Sequence, residues 1–226
     1  MTKQLYKRKS GILAVIFAVF FAAATGANAA DQKSDFLNRD IIIGDENAPI
    51  EIIEYASLTC SHCATFNEEI LPELMKKYVN TGKVKIVFRN FVFTRNAFDV
   101  FASSLSRCVT EKRFHPLVGL YFKRQRTWLK YQEFGELQQT KKYGKYAALG
   151  FARGEAIKIA KIAGMKESEA YQCLARTDVL KYLMDGNKEA RDKYKVNATP
   201  TIIVNGKKTE DYQFETIEKA ILAASK

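Results

Sequence analysis

Apolar and polar positions recur along this chain with two different periods, and the switches between them mark out its elements. Ile50 to Ala56 (IEIIEYA) is β-branched and mostly apolar, which predicts a strand. A short strand at Ile41-Ile42-Ile43 and a turn from Gly44 to Pro49 precede it. From Cys60 to Val79, Phe66, Ile70, Leu74 and Tyr78 fall at helical spacing. Pro72 lacks an N–H and predicts a kink in that helix, and Thr81-Gly82 predicts its end. Val84 to Phe91 (VKIVFRNF) predicts the next strand.

The following hundred residues read as helices. Phe98, Phe101, Ala102, Leu105, Cys108 and Val109 mark one helical face, and further patterns run over 117–128, 155–163 and 178–195. Gly164, Thr177 and Gly186 read as breaks or caps among them. Asn197-Ala198-Thr199-Pro200 then leads into a strand at Thr201–Val204, a hairpin turn at Asn205-Gly206 and a short strand over 207–210. An amphipathic helix, Phe214–Ala224, closes the chain with Ile217, Ala220 and Ile221 inward. The order β, α, β, helical block, β-hairpin, α predicts an α/β fold whose first two long strands are parallel, joined by a right-handed crossover.

The first 29 residues are of another kind. Lys3, Lys7, Arg8 and Lys9 precede an uncharged apolar run of 13 residues, Ile12 to Ala24, and Ala27-Asn28-Ala29 supplies small residues for cleavage. This is the layout of a secretory signal, and the run is short for a bilayer span, which needs roughly 20 residues. The chain is therefore expected to be exported to the periplasm. The formal charge of +11 falls to +7 without the four basic residues of this leader. The remaining basic residues are scattered and form no aromatic-interleaved motif, so no nucleic-acid partner is expected.

Cys60-Ser61-His62-Cys63 stands where a predicted strand gives way to a helix. A helix N-terminus offers unpaired N–H groups and partial positive charge, which favour a thiolate at Cys60. One helical turn brings the two sulfurs within bridging range. His62 adds a polarising neighbour that would stabilise the thiolate. The competing reading, half of a zinc site, needs a second CxxC or His pair, and the chain has none; His115 is the only other histidine. No metal or cofactor is expected. Thr199-Pro200 precedes a strand that should lie beside the active-site helix; a cis bond there would free the Thr199 backbone to pair with a substrate strand. Glu54, six residues before Cys60 on a central strand, is expected to be buried near Cys63 as a proton relay or a salt-bridged carboxylate.

The chain resembles the DsbA-like family of thiol–disulfide oxidoreductases. Glu54 through Cys63 (EYASLTCSHC), Arg89-Asn90-Phe91, Trp128-Leu129 and Val196 through Gly206 (VNATPTIIVNG) carry the resemblance, over residues 41–225. It implies a thioredoxin fold with an inserted all-helical subdomain: a first part at 30–96, the insertion at 97–195 and a second part at 196–226. It also implies oxidation of reduced secreted proteins and reoxidation by a quinone-linked membrane partner of the DsbB type; residues 30–40 leave little room for the dimerisation domain of isomerase relatives, so a monomer is expected. Cys60 would be the nucleophile, Cys63 the leaving and resolving thiol, Pro200 the cis-proline and Thr199 a contact to the substrate backbone. Ser61-His62 replaces the Pro-His of the best-known members, and Thr199 is shared with isomerase and reductase relatives. A disulfide isomerase or reductase, or a non-catalytic chaperone or metal-handling protein of the same fold, are the other readings. With Cys60 and Cys63 engaged with each other, Cys108 and Cys173 are expected to form a structural disulfide, stabilising the fold by roughly 3–5 kcal/mol.

Overall fold

The computed structural model describes residues 40–225, so the leader expected at 1–29 lies outside the described residues. Five strands form one sheet in the order β1-β3-β2-β4-β5. They are β1 (Ile41–Ile43), β2 (Ile50–Ala56), β3 (Val84–Asn90), β4 (Thr201–Val204) and β5 (Lys207–Lys208). β2 and β3 run parallel, with Ile52 opposite Ile86, and every other pairing is antiparallel. β2 is central, which explains its near-continuous apolar run: both of its faces are covered. Ile50 and Ile52 pack on one side, with Phe66, Leu74, Ile217 and Ile221. Ile53 and Tyr55 pack on the other, with Ala190 and Val196. Asn205 (φ 44°) and Gly206 (φ 81°) make the hairpin turn, and the Asn205 side chain accepts from the Glu51 N–H at 2.8 Å, tying the hairpin back to β2.

The crossover helix spans residues 61–79, and Pro72 shapes it differently from a simple kink. Helical segments α1 (Ser61–Thr65) and α2 (Leu71–Leu74) alternate with wider π-helical turns at Phe66–Ile70 and Met75–Val79. Proline cannot supply the i→i−4 bond, and the widened turn before it absorbs the missing donor without ending the helix.

Eight further helices follow among the described residues: α3 (Ala97–Ser106), α4 (Glu111–Lys123), α5 (Gln125–Trp128), α6 (Tyr131–Gln138), α7 (Gly144–Ile162), α8 (Glu167–Leu174), α9 (Thr177–Tyr194) and α10 (Phe214–Ala224). Several boundaries differ from the sequence reading. Gly186 does not break a helix but lies inside α9, whose packing through Val179, Leu183 and Ala190 outweighs a helix-interior glycine's cost of about 1 kcal/mol. Asn187 on the same helix brackets Val92, accepting from its N–H at 2.8 Å and donating to its carbonyl at 2.7 Å. α4 begins at Glu111 and carries Pro116 inside it, because the carbonyl left without a donor belongs to the exposed Lys112. α7 starts eleven residues before the expected 155–163 pattern, on a stripe of buried small residues, Ala148, Ala152 and Ala156. β5 is shorter than the expected 207–210.

Cys108, just past α3, and Cys173, on α8, are joined by a disulfide with their Cα atoms 5.9 Å apart. Trp128 is buried, and its indole N–H donates to the Tyr121 carbonyl at 2.9 Å. It meets Phe98 and Tyr121 edge-on in the core of the helical block.

Candidate active site

Cys60 sits at the carboxyl end of β2 after a three-residue loop, as the residue that caps α1, in extended backbone geometry (φ −84°, ψ 122°). Its side chain is half-buried, whereas Cys63 one turn later is fully buried among core residues such as Leu58 and Ala56. Both are free thiols, so the dithiol form of the pair is the one described.

The two sulfurs occupy opposite electrostatic environments. The Cys60 thiol is pulled down to about 5. The main cause is a hydrogen bond from Cys63, opposed by partial burial and assisted by the Thr199 side chain and the backbone N–H groups of Cys63 and His62. Burial, above all, pushes Cys63 well above the ordinary thiol range, and its hydrogen bond to Cys60 and the nearby Glu54 charge push the same way. One sulfur is thus poised as a thiolate and the other as a thiol.

The peptide bond between Thr199 and Pro200 is cis, and the Thr199 carbonyl accepts from the Cys60 thiol at 3.2 Å. The Thr199 hydroxyl is buried and has no well-aligned partner in the dithiol form. β4 places Thr199 there by pairing with β2 in antiparallel register, Thr201 opposite Tyr55. His62 is exposed and its ring lies 5.7 Å from that of Tyr212, so its contribution to the thiolate comes from its backbone N–H.

Glu54 is buried in the sheet between Phe88 and Ile202, with no hydrogen-bond partner for its Oε1. Desolvation raises its carboxyl to about 8, and the Cys60 charge adds to the rise. The sequence left a proton relay and a salt-bridged carboxylate as alternatives; no ion pair engages Glu54 among the described residues, and its environment is that of a buried acid. His115 is half-buried, which lowers it to about 4, and its buried Nε2 has no hydrogen-bond partner. It lies on α4.

Two further polar residues hold the active-site loop, and the sequence reading named neither. Asp99 on α3 is fully buried and accepts from Ser57 Oγ at 2.8 Å, Leu58 N–H at 3.1 Å and Phe93 N–H at 2.8 Å. Burial raises its carboxyl to about 6 against those donors. Gln125 on α5 donates to the carbonyls of Leu58 and Cys60. The only sequence signal for Asp99 was an acidic residue in the first turn of a helix, which helix-dipole pairing already accounts for.

A family model described as Thioredoxin matches residues 37–223. A Rickettsia prowazekii protein bearing the name "Putative protein-disulfide oxidoreductase" is 28% identical over 185 residues, covering 81% of this chain and 61% of the relative. The chain thus spans about three-fifths of the length of that relative. Among solved structures, a protein-disulfide isomerase from Novosphingobium aromaticivorans superposes with a TM-score of 0.69 at 23% identity, over 81% of this chain and 96% of the other. Wolbachia pipientis alpha-DsbA1 superposes with a TM-score of 0.67 at 23% identity, over 83% and 91%. At that identity the two structures establish a shared fold, a thioredoxin-type sheet carrying a helical insertion.

Proposed function

The chain belongs to the thioredoxin family, and from that premise we propose that it is an exported thiol:disulfide oxidoreductase that oxidises reduced secreted proteins through Cys60 and Cys63. One observation carries this reading: the contrast between a Cys60 thiol near 5 and a Cys63 thiol well above 9. A stabilised Cys60 thiolate stabilises the reduced enzyme, which makes the Cys60–Cys63 disulfide a strong oxidant. The name of the Rickettsia relative supports the reaction class. The leader pattern supports export to the periplasm.

In the oxidative direction, a substrate thiolate attacks Cys60 Sγ in the enzyme disulfide. The Cys60–Cys63 bond breaks and Cys63 leaves, taking a proton because its site disfavours the anion. A second substrate thiolate then attacks the substrate sulfur of the mixed disulfide and expels Cys60 as a thiolate, a good leaving group at its low pKa. The substrate gains one disulfide and the enzyme becomes the dithiol. Cys63 resolves the mixed disulfide when the second substrate thiol is slow, returning the substrate unchanged. The Thr199 carbonyl and the cis-Pro200 turn offer the substrate backbone a strand-like contact beside Cys60. Reoxidation falls to a quinone-linked membrane partner of the DsbB type, and the enzyme works as a monomer.

Equilibration with glutathione tests the direction. The expected potential lies nearer the roughly −120 mV of DsbA than the roughly −270 mV of thioredoxin. A value at the thioredoxin end would defeat the oxidase assignment and favour the isomerase or reductase reading, for which Thr199 before the proline speaks.

Glu54 is proposed to supply the proton that Cys63 takes on leaving. A neutral carboxyl buried beside a thiol of high pKa is the required donor. Glu54→Gln is expected to slow release of Cys63 and to remove its dependence on pH between about 6 and 8, as followed by stopped-flow tryptophan fluorescence. The same variant alters stability with a definite sign. The folded carboxyl holds its proton up to about 8 against an ordinary value of 4.5, so the folded state binds more protons between those values. The Glu54 contribution to the stability of the reduced protein therefore falls as pH rises from about 5 to 8, by up to about 1.4 kcal/mol per unit, while the lowered Cys60 thiol contributes with the opposite sign over the same range. In Glu54→Gln that contribution disappears, so in denaturant titrations the variant gains stability relative to wild type as pH rises from about 5 to 8. A stability difference between variant and wild type that does not change with pH would refute the buried-acid assignment.

A further inference from the structure

The helical block reaches the active-site loop through buried side chains, and one of them acts on the nucleophile's own residue. Gln125 Nε2 donates to the Leu58 carbonyl at 3.0 Å and to the Cys60 carbonyl at 2.9 Å. Both hydrogens of one amide are thereby committed to two carbonyls of a single loop. The Cys60 carbonyl also accepts the Ala64 N–H at 3.2 Å, the first bond of the crossover helix. That carbonyl is held from the helix on one side and from the insertion on the other. Asp99 fixes the opposite edge of the loop through the Leu58 N–H and the Ser57 hydroxyl.

Gln125 is well placed to be rigid. It is buried, and it opens the short helix α5, whose other end is anchored by Trp128 in the core. Only a nitrogen bearing at least two hydrogens can serve both carbonyls. A glutamate at neutral pH would present oxygens to them instead.

We infer that Gln125 is a positioning residue of the redox centre: its amide brackets Leu58 and Cys60 and sets where Cys60 Sγ lies against the N–H groups of His62 and Cys63 and against Thr199. The inference rests on reading Cys60–Cys63 as the exchanging pair. In its absence the Cys60 peptide is free to rotate, the sulfur drifts from the helix N-terminus, and the thiolate loses part of its stabilisation. The insertion is then part of the machinery that tunes the nucleophile as well as a cover over it.

The test compares wild type with Gln125→Met, which keeps the volume and removes both donors. Iodoacetamide alkylation of Cys60 is followed from pH 3 to 9, and equilibrium with glutathione is measured at pH 7. The Gln125→Met midpoint is expected about one pH unit above wild type, with alkylation below both midpoints about tenfold slower. Its glutathione equilibrium is expected to shift about tenfold toward the enzyme disulfide. A purely structural role would lower the melting temperature and leave both quantities of the folded protein where they were, and that result would overturn the inference. Where Gln125→Met does not fold, Gln125→Asn decides: its shorter amide cannot span both carbonyls, so a midpoint between wild type and one unit higher supports the bracket, and a wild-type midpoint overturns it. Wild type itself reads the other question. An ordinary thiol midpoint near 9 in wild type would undo the oxidase reading, whereas the difference between variants judges Gln125.

Discussion

Cys60→Ala is expected to abolish disulfide exchange, lowering the rate of oxidation of a reduced model protein by about 10³-fold or more. The size follows from the absence of a substitute. Cys63 is fully buried and its thiol lies well above the ordinary range, so it offers incoming thiolates neither access nor reactivity. Cys108 and Cys173 are bonded to each other in the helical block. The substitution itself is mild, because Cys60 is only half-buried and the bond its thiol donates goes to a backbone carbonyl, that of Thr199. Melting temperature should therefore stay close to wild type while activity disappears. Residual exchange above a tenth of the wild-type rate would mean that another sulfur is the nucleophile.

The largest effect on stability is expected from the other cysteine pair. Cys108 and Cys173 are separated by 65 residues, and their bond ties the end of α3 to α8. Closing a loop of that length in the unfolded chain is worth about 4 kcal/mol in the chain-entropy model. The double variant Cys108→Ser, Cys173→Ser is expected to melt about 10–15 °C lower. Its exchange activity at 25 °C should stay within about twofold of wild type, because the loop carrying Cys60 is held by Asp99 and Gln125 and not by the disulfide. Guanidinium titration beside an exchange assay checks both halves. A stability loss below about 1 kcal/mol would show that the reduced, unfolded chain is already compact around this link.

Sequence and structure divided the work along a physical line. The strands at Ile50–Ala56 and Thr201–Val204, the Asn205-Gly206 turn and the helix after Cys60 were legible because each is encoded by neighbours in the chain: alternation, β-branching, a turn dipeptide, a repeat of apolar residues. Cys60, Cys63 and the Thr199-Pro200 pair stood out in the same way, since their chemistry depends on short spacing and on standing at the end of an element. Helix limits were less legible. Pro116 and Gly186 look like stops by local propensity, and tertiary packing carried α4 and α9 through them. Glu54 could be singled out by its place on a central strand, but its neutral state depends on what covers that strand from both sides. Asp99 and Gln125 were out of reach altogether. Each bonds a loop lying 41 to 67 residues away, across two elements that no periodic pattern connects. Periodicity records which face of an element is buried; it carries no information about which polar group of one element will meet which backbone group of another. That pairing is decided only when the helical block closes over the active-site loop, because a buried donor or acceptor must find its partner there or cost about 1–3 kcal/mol.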